Sequence, residues 1–136
     1  HMGLHPANKQ EVGRRLMLAA RRTIYADKTL ETGPFPESAK LTGKTVTVAF
    51  KGVNGKLAAV DAVDAAKPIG FELCGAAQAT CRFVPAAIAG TAVTLAVPDG
   101  LTPTRVRYCW GDGPVCTLYD TTRIPAVPFE LPLAGK

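Results

Sequence analysis

The sequence predicts a mainly β protein, with an N-terminal helix followed by an antiparallel β-sandwich-like domain. Three observations predict it. Near the N-terminus, Val12, Leu16, Ala19, Ala20, Thr23 and Ile24 recur at helical spacing. From Val46 onward the period changes to two, with Val46, Val48 and Phe50 alternating with Thr45, Thr47 and Ala49. Turn signals then recur at short intervals, as they do between the strands of a sandwich or barrel. At 136 residues, 47% hydrophobic and 20% charged, the chain is long enough to bury a core.

The helix is expected from about Lys9 to Tyr25. Asn8 is a good N-cap, and Glu11 three residues on completes a capping-box-like start. Arg14, Arg15, Arg21 and Arg22 share the arc opposite the apolar stripe. That arc reads as a solvated face or as a docking face for another part of the protein. Gly13, early in the helix, costs about 1 kcal/mol relative to alanine. Next comes a connector from Thr29 to Thr42, where Gly33-Pro34-Phe35-Pro36 stops any helix and favours an extended passage.

After the Val46 to Phe50 strand, Val53-Asn54-Gly55-Lys56 reads as a tight turn into a strand from Leu57 to Val60. Further short strands are expected near Ile69 to Leu73, Arg82 to Val84, Ala92 to Val97, Arg105 to Trp110 and Val115 to Tyr119. Gly75, Ala89-Gly90, Pro98-Asp99-Gly100 and Gly111-Asp112-Gly113-Pro114 punctuate them. Pro125, Pro128 and Pro132 make the tail from Ile124 to Leu133 an extended segment packed along an edge.

Composition excludes some function classes. No apolar run approaches the ~18 residues of a membrane span, so no membrane partner is expected. The net charge of +5 is concentrated between residues 9 and 28, with six basic residues against two acidic. The remainder is nearly balanced and has no basic run and no aromatic stacking motif, so nucleic acid is not an expected partner either.

Cys74 and Cys81, and Cys109 and Cys116, form two pairs with six residues inside each. That spacing is wide for a structural zinc site, and no metal is expected. A six-residue loop can close a disulfide where the chain turns back, as Gly111, Gly113 and Pro114 suggest for the second pair. Local pairing is the expected connectivity, with four buried free thiols as the alternative. Disulfides imply a periplasmic or secreted location.

Few residues offer catalytic chemistry. The only serine, Ser38, has no nucleophile elbow and no nearby base, so no serine nucleophile is expected in this chain. His5 stands in a loop just before the helix, and Pro6 confines it to an extended conformation that fixes its pose. On local grounds it is either an ordinary surface residue or a catalytic base. In Arg105 to Trp110, alternation puts Val106, Tyr108 and Trp110 on one side and the two arginines on the other. Trp110 beside Gly111-Asp112-Gly113-Pro114 reads equally as a sugar-stacking platform with Asp112 alongside, or as a core tryptophan next to a self-capping turn.

Three blocks carry a family resemblance. His5-Pro6-Ala7-Asn8-Lys9-Gln10-Glu11-Val12-Gly13-Arg14-Arg15-Leu16 resembles the block around the catalytic histidine of bacterial sialate O-acetylesterases and related sugar acetylesterases. Pro68-Ile69-Gly70-Phe71-Glu72-Leu73-Cys74-Gly75 and the stretch from Val106 to Asp120, closed by Ile124 to Phe129, resemble the same family in the same order.

The resemblance implies a serine esterase of the flavodoxin-like SGNH class, acting on acetylated sialic acids or plant polysaccharides without a cofactor. His5 matches the histidine that serves as general base and then acid. In the family an aspartate lies just upstream in the same loop, where this chain has Met2 and Gly3, and the serine and oxyanion-hole blocks are missing. The chain therefore resembles the C-terminal part of a longer enzyme. On that view residues 1–28 are the last loop and helix of the hydrolase domain, 29–43 a linker and 44–136 an accessory β-sandwich-like domain. The implied partners are the upstream catalytic segment and an acetylated carbohydrate, and Trp110 and Asp112 are candidate substrate contacts.

Overall fold

The computed structural model describes residues 8–29 and 32–135, which form two compact units divided at Thr32. In the first, α1 spans Lys9–Thr23. The Asn8 side chain accepts a hydrogen bond from the Glu11 amide at 3.1 Å, as the capping signal requires. The reciprocal half of the box is replaced by ion pairs, because Glu11 holds Arg14 at 2.6 Å and Arg15 at 2.8 Å instead. None of the helix residues is buried, and Val12, Leu16 and Met17 stand exposed.

The second unit is a β-sandwich. One sheet contains β1 (Phe35–Thr42), β2 (Thr45–Lys51), β6 (Ala86–Ala89) and β7 (Ala92–Ala96) in the order β1-β2-β7-β6. The other contains β4 (Phe71–Cys74), β5 (Arg82–Phe83), β8 (Arg105–Tyr108) and β10 (Phe129–Pro132) in the order β10-β8-β4-β5. A two-stranded sheet pairs β3 (Leu57–Ala59) with β9 (Leu118–Asp120). Every strand pairing is antiparallel.

The period-two pattern decides which side chains meet between the sheets. Val46, Val48 and Phe50 of β2 point inward, as do Val93 and Leu95 of β7, Phe71 and Leu73 of β4, and Val106 and Tyr108 of β8. Phe129 joins the two layers, packing edge-on to Phe50 at 5.9 Å and stacking on Tyr108 at 5.8 Å between ring centroids. Each such ring withdrawn from water is worth about 1.5–3 kcal/mol, so this cluster is the main source of stability.

Several elements differ from the sequence expectation. Within the expected connector, Phe35–Thr42 forms β1, paired along its length with β2. A register shift between Pro36 and Ser38 breaks its alternation, which hides the strand from a period-two reading. The alanine-rich β6 carries no β-branched signal apart from Ile88 and was not expected as a strand. The proline-rich tail is extended at the sheet edge as expected, and its Phe129–Pro132 segment pairs with β8 as β10. Ala134 bridges to β1, accepting from the Leu41 amide and donating to the Ala39 carbonyl.

Candidate functional site

Both cysteine pairs are joined locally, Cys74 to Cys81 and Cys109 to Cys116, and no free cysteine remains. Two disulfides in a chain of this size point to an extracytoplasmic environment. No described helix is long and apolar enough to cross a membrane.

The second bridge shapes the most conspicuous surface feature. β8 ends at Tyr108, and Cys109 takes a φ of 58°, outside the strand region, as the chain turns toward Gly111. The alternation that would have carried Trp110 to the inner face with Val106 and Tyr108 therefore ends one residue early. Trp110 is instead 49% exposed, with the Arg107 guanidinium 4.8 Å from its ring centroid. It is not a core residue, and it shares the outer face with the arginine that simple alternation would have set opposite it. Asp112 stands exposed in the following turn.

Beneath the indole, the outer face of this sheet is a charge ladder. Register places Glu72 of β4, Arg107 of β8 and Glu130 of β10 side by side, with Phe83 of β5 next to Glu72. Arg107 donates to the Glu130 carboxylate and, at 3.3 Å, to the Cys81 sulfur. Arg105 donates to the same carboxylate at 3.1 Å and to the carbonyls of Gly75 at 2.5 Å and Ala76 at 3.2 Å. The Arg107 hydrogen bond, with help from Arg105, holds the Glu130 carboxyl below the usual carboxylate range.

A second feature is an apolar groove of about 660 Å³ at the start of β4, lined by Pro68, Ile69, Phe83, Pro85, Pro114 and Val115. Phe83 and Val115 are more than 70% exposed. The groove depends on a close backbone approach at Gly70, whose φ of 104° few other residues tolerate. A Cβ there would sit 3.2 Å from both the Cys116 sulfur and the Val115 carbonyl oxygen. The Thr117 hydroxyl accepts from the Ile69 amide at 2.9 Å and ties the two walls together. Sequence reading did not single out Phe83, because its place opposite Glu72 depends on strand register rather than on any local motif.

His5 lies outside the described residues. Ser38, the only serine, is exposed next to the β1 register shift. The described residues contain no histidine, and among them no cluster of three or more His, Cys, Asp or Glu is placed to hold a metal ion.

No protein-family model matches the chain. Similarity to individual proteins is nonetheless extensive. Sialate O-acetylesterases from Pongo abelii and Homo sapiens are each 31% identical to it over 138 aligned residues, covering 93% of this chain and 25% of theirs. The crystal structure of a carbohydrate acetylesterase from Xanthomonas citri superposes with a TM-score of 0.82 at 30% identity, covering 95% of this chain and 29% of that one. The chain spans about a quarter of the length of these relatives, and across nearly all of its own length it is homologous to part of the sialate O-acetylesterase and carbohydrate acetylesterase proteins.

Proposed function

We propose that this chain is the C-terminal portion of a serine carbohydrate esterase that removes O-acetyl groups from sialic acid or plant polysaccharide. The observation that carries the reading is the match, in sequence and in backbone, to a carbohydrate acetylesterase over 95% of the chain. Residues 1–28 would be the closing loop and helix of a flavodoxin-like SGNH domain, and the accessory β-domain, expected from residue 44, begins instead at Gly33, because β1 belongs to its first sheet. The exposed apolar residues Val12, Leu16 and Met17 of α1 support the first part, since such a stripe is ordinarily buried against a partner. A periplasmic or secreted location accords with the two disulfides.

In the proposed reaction, a serine of the upstream segment attacks the acetyl carbonyl while His5 accepts the serine proton. His5 then returns that proton to the departing sugar hydroxyl, and water releases acetate by the same steps. This chain alone is expected to be inactive. The test is acetate release from an acetylated sugar by the chain, by the separately expressed upstream segment, and by the two together, with His5→Ala as control. Activity only in the mixture, lost in the variant, supports the reading. Turnover that survives His5→Ala removes His5 from the mechanism.

A second reading is a non-catalytic carbohydrate-binding or structural module. The observation favouring the binding form is Trp110, half exposed and backed by Arg107, with Asp112 nearby. It requires saturable sugar binding by the isolated chain.

A further inference from the structure

We propose that the outer face of the β4-β5-β8-β10 sheet, between Trp110 and Phe83, binds an uncharged oligosaccharide chain rather than a sialic acid. The inference rests on the carbohydrate-binding role given above to Trp110 and deepens it by naming the ligand class and a second contact.

Two exposed aromatics share this face. Trp110 lies over Arg107 of β8, and Phe83, 73% exposed, pairs with Glu72, which in turn pairs with Arg107. The Phe83 and Arg107 columns are two strand spacings apart, roughly 10 Å. Aromatic faces carry partial negative charge and attract the C–H faces of sugar rings. Two exposed aromatics set on strands two spacings apart suit several linked rings better than one monosaccharide.

Charge decides between neutral and acidic sugars. A sialic acid presents a carboxylate and needs a cation free to meet it. The two arginines of the platform are already engaged. Arg107 is held by Glu130, the Cys81 sulfur and the indole, and Arg105 by Glu130 and the Gly75 and Ala76 carbonyls. Their side chains are only 14% and 15% exposed. Glu72 and Glu130 on the ladder and Asp112 in the adjoining turn outnumber those two arginines. Arg82 registers with inward-facing Leu73, on the opposite side of the edge strand from Phe83. An anionic ligand would find both arginines of this face already engaged, whereas hydroxyl groups find carboxylate acceptors beside the aromatic faces.

The test is binding by the intact chain of an acetylated xylo-oligosaccharide, a neutral β-linked chain, and of N-acetylneuraminic acid. It is followed by the fluorescence of Trp110, the only tryptophan, and by calorimetry. Saturable binding of the oligosaccharide is expected, weakened at least tenfold in Trp110→Ala and in Phe83→Ala, with no saturation by the sialic acid at the same concentrations. Both substituted residues are exposed, and unchanged thermal melts will show that the variants fold. Equal or tighter binding of the sialic acid overturns the neutral-ligand assignment while leaving Trp110 as a sugar contact. Unaltered affinity in Phe83→Ala overturns the extended site. Failure to bind either sugar overturns the platform and the carbohydrate-binding role with it, whereas the acetate-release experiment judges the esterase reading independently.

Discussion

The backbone amide of Leu118 donates to the phenolic oxygen of Tyr108 at 2.9 Å, joining β9 to β8 inside the core. Burial pushes the Tyr108 phenol up to about 12 from an ordinary value of 10.0, against the opposing pull of the Leu118 amide. The folded state therefore holds the phenol proton more tightly than the unfolded chain. The resulting stability is complete below pH 10 and is lost as the pH rises through about 12. Urea melts should show the midpoint falling across that window, and falling less in Tyr108→Phe. At neutral pH the same variant leaves the Leu118 amide buried without an acceptor, at a cost of about 1–3 kcal/mol. A variant as stable as the parent would show that this hydrogen bond does not matter to the fold.

Asp120 is 1% exposed and gathers five donors. The amide and side-chain nitrogens of Asn54 reach one oxygen, and the Thr122 amide and hydroxyl and the Ile124 amide reach the other. This carboxylate fixes the turn after β9 and fastens it to the Asn54-Gly55 turn before β3. Asp120→Ala should cost about 3 kcal/mol or more, because several buried donors lose their acceptor together. Asp120→Asn, which retains one carbonyl oxygen, should cost less. Equilibrium denaturation of both variants checks the order, and an alanine variant within 1 kcal/mol of the parent would contradict it.

How far the sequence reveals this molecule depends on whether a feature is local. The helix start at Asn8 and Glu11, the inward Val46, Val48 and Phe50, and the local disulfides all follow from spacing within a few residues. β1 was hidden by its irregular register at Pro36 and Ser38, and β6 by a run of alanines. The outward position of Trp110 required knowing that Cys109 leaves the strand conformation, which alternation alone does not reveal. The groove was least legible. Its walls meet through Ile69 and Thr117, 48 positions apart, and no local motif encodes such a contact.

Each disulfide closes a short loop with a sequence separation of 7. Loop-closure entropy alone assigns each about 2–3 kcal/mol. Non-reducing intact mass should lie about 4 Da below the fully reduced value, since each bridge removes two hydrogens. Removing Cys109 and Cys116 together by alanine substitution should also release the loop that holds Trp110 over Arg107. The tryptophan emission should then shift toward that of a freely solvated indole before any global unfolding. Emission identical to the parent in a folded double variant would show that the loop keeps its shape without the bridge.

Glu11 provides an acid-side counterpart to Tyr108. Its carboxylate accepts from Arg14 at 2.6 and 2.8 Å and from Arg15 at 2.8 Å. The Arg14 hydrogen bond is the main influence that lowers its pKa from 4.5 to about 2. The negative charge also lies in the first turn of α1, where the helix dipole favours it. Because the folded value is the lower one, the contribution is present above pH 4.5 and disappears as the pH falls through about 2. Helical NMR shifts across Lys9–Thr23 should therefore weaken over that interval. Glu11→Gln should show a flatter profile there, with weaker helix signals already at neutral pH. Titration of the Glu11 side-chain carbon near 4.5 would mean that the arginine pairs do not persist in solution.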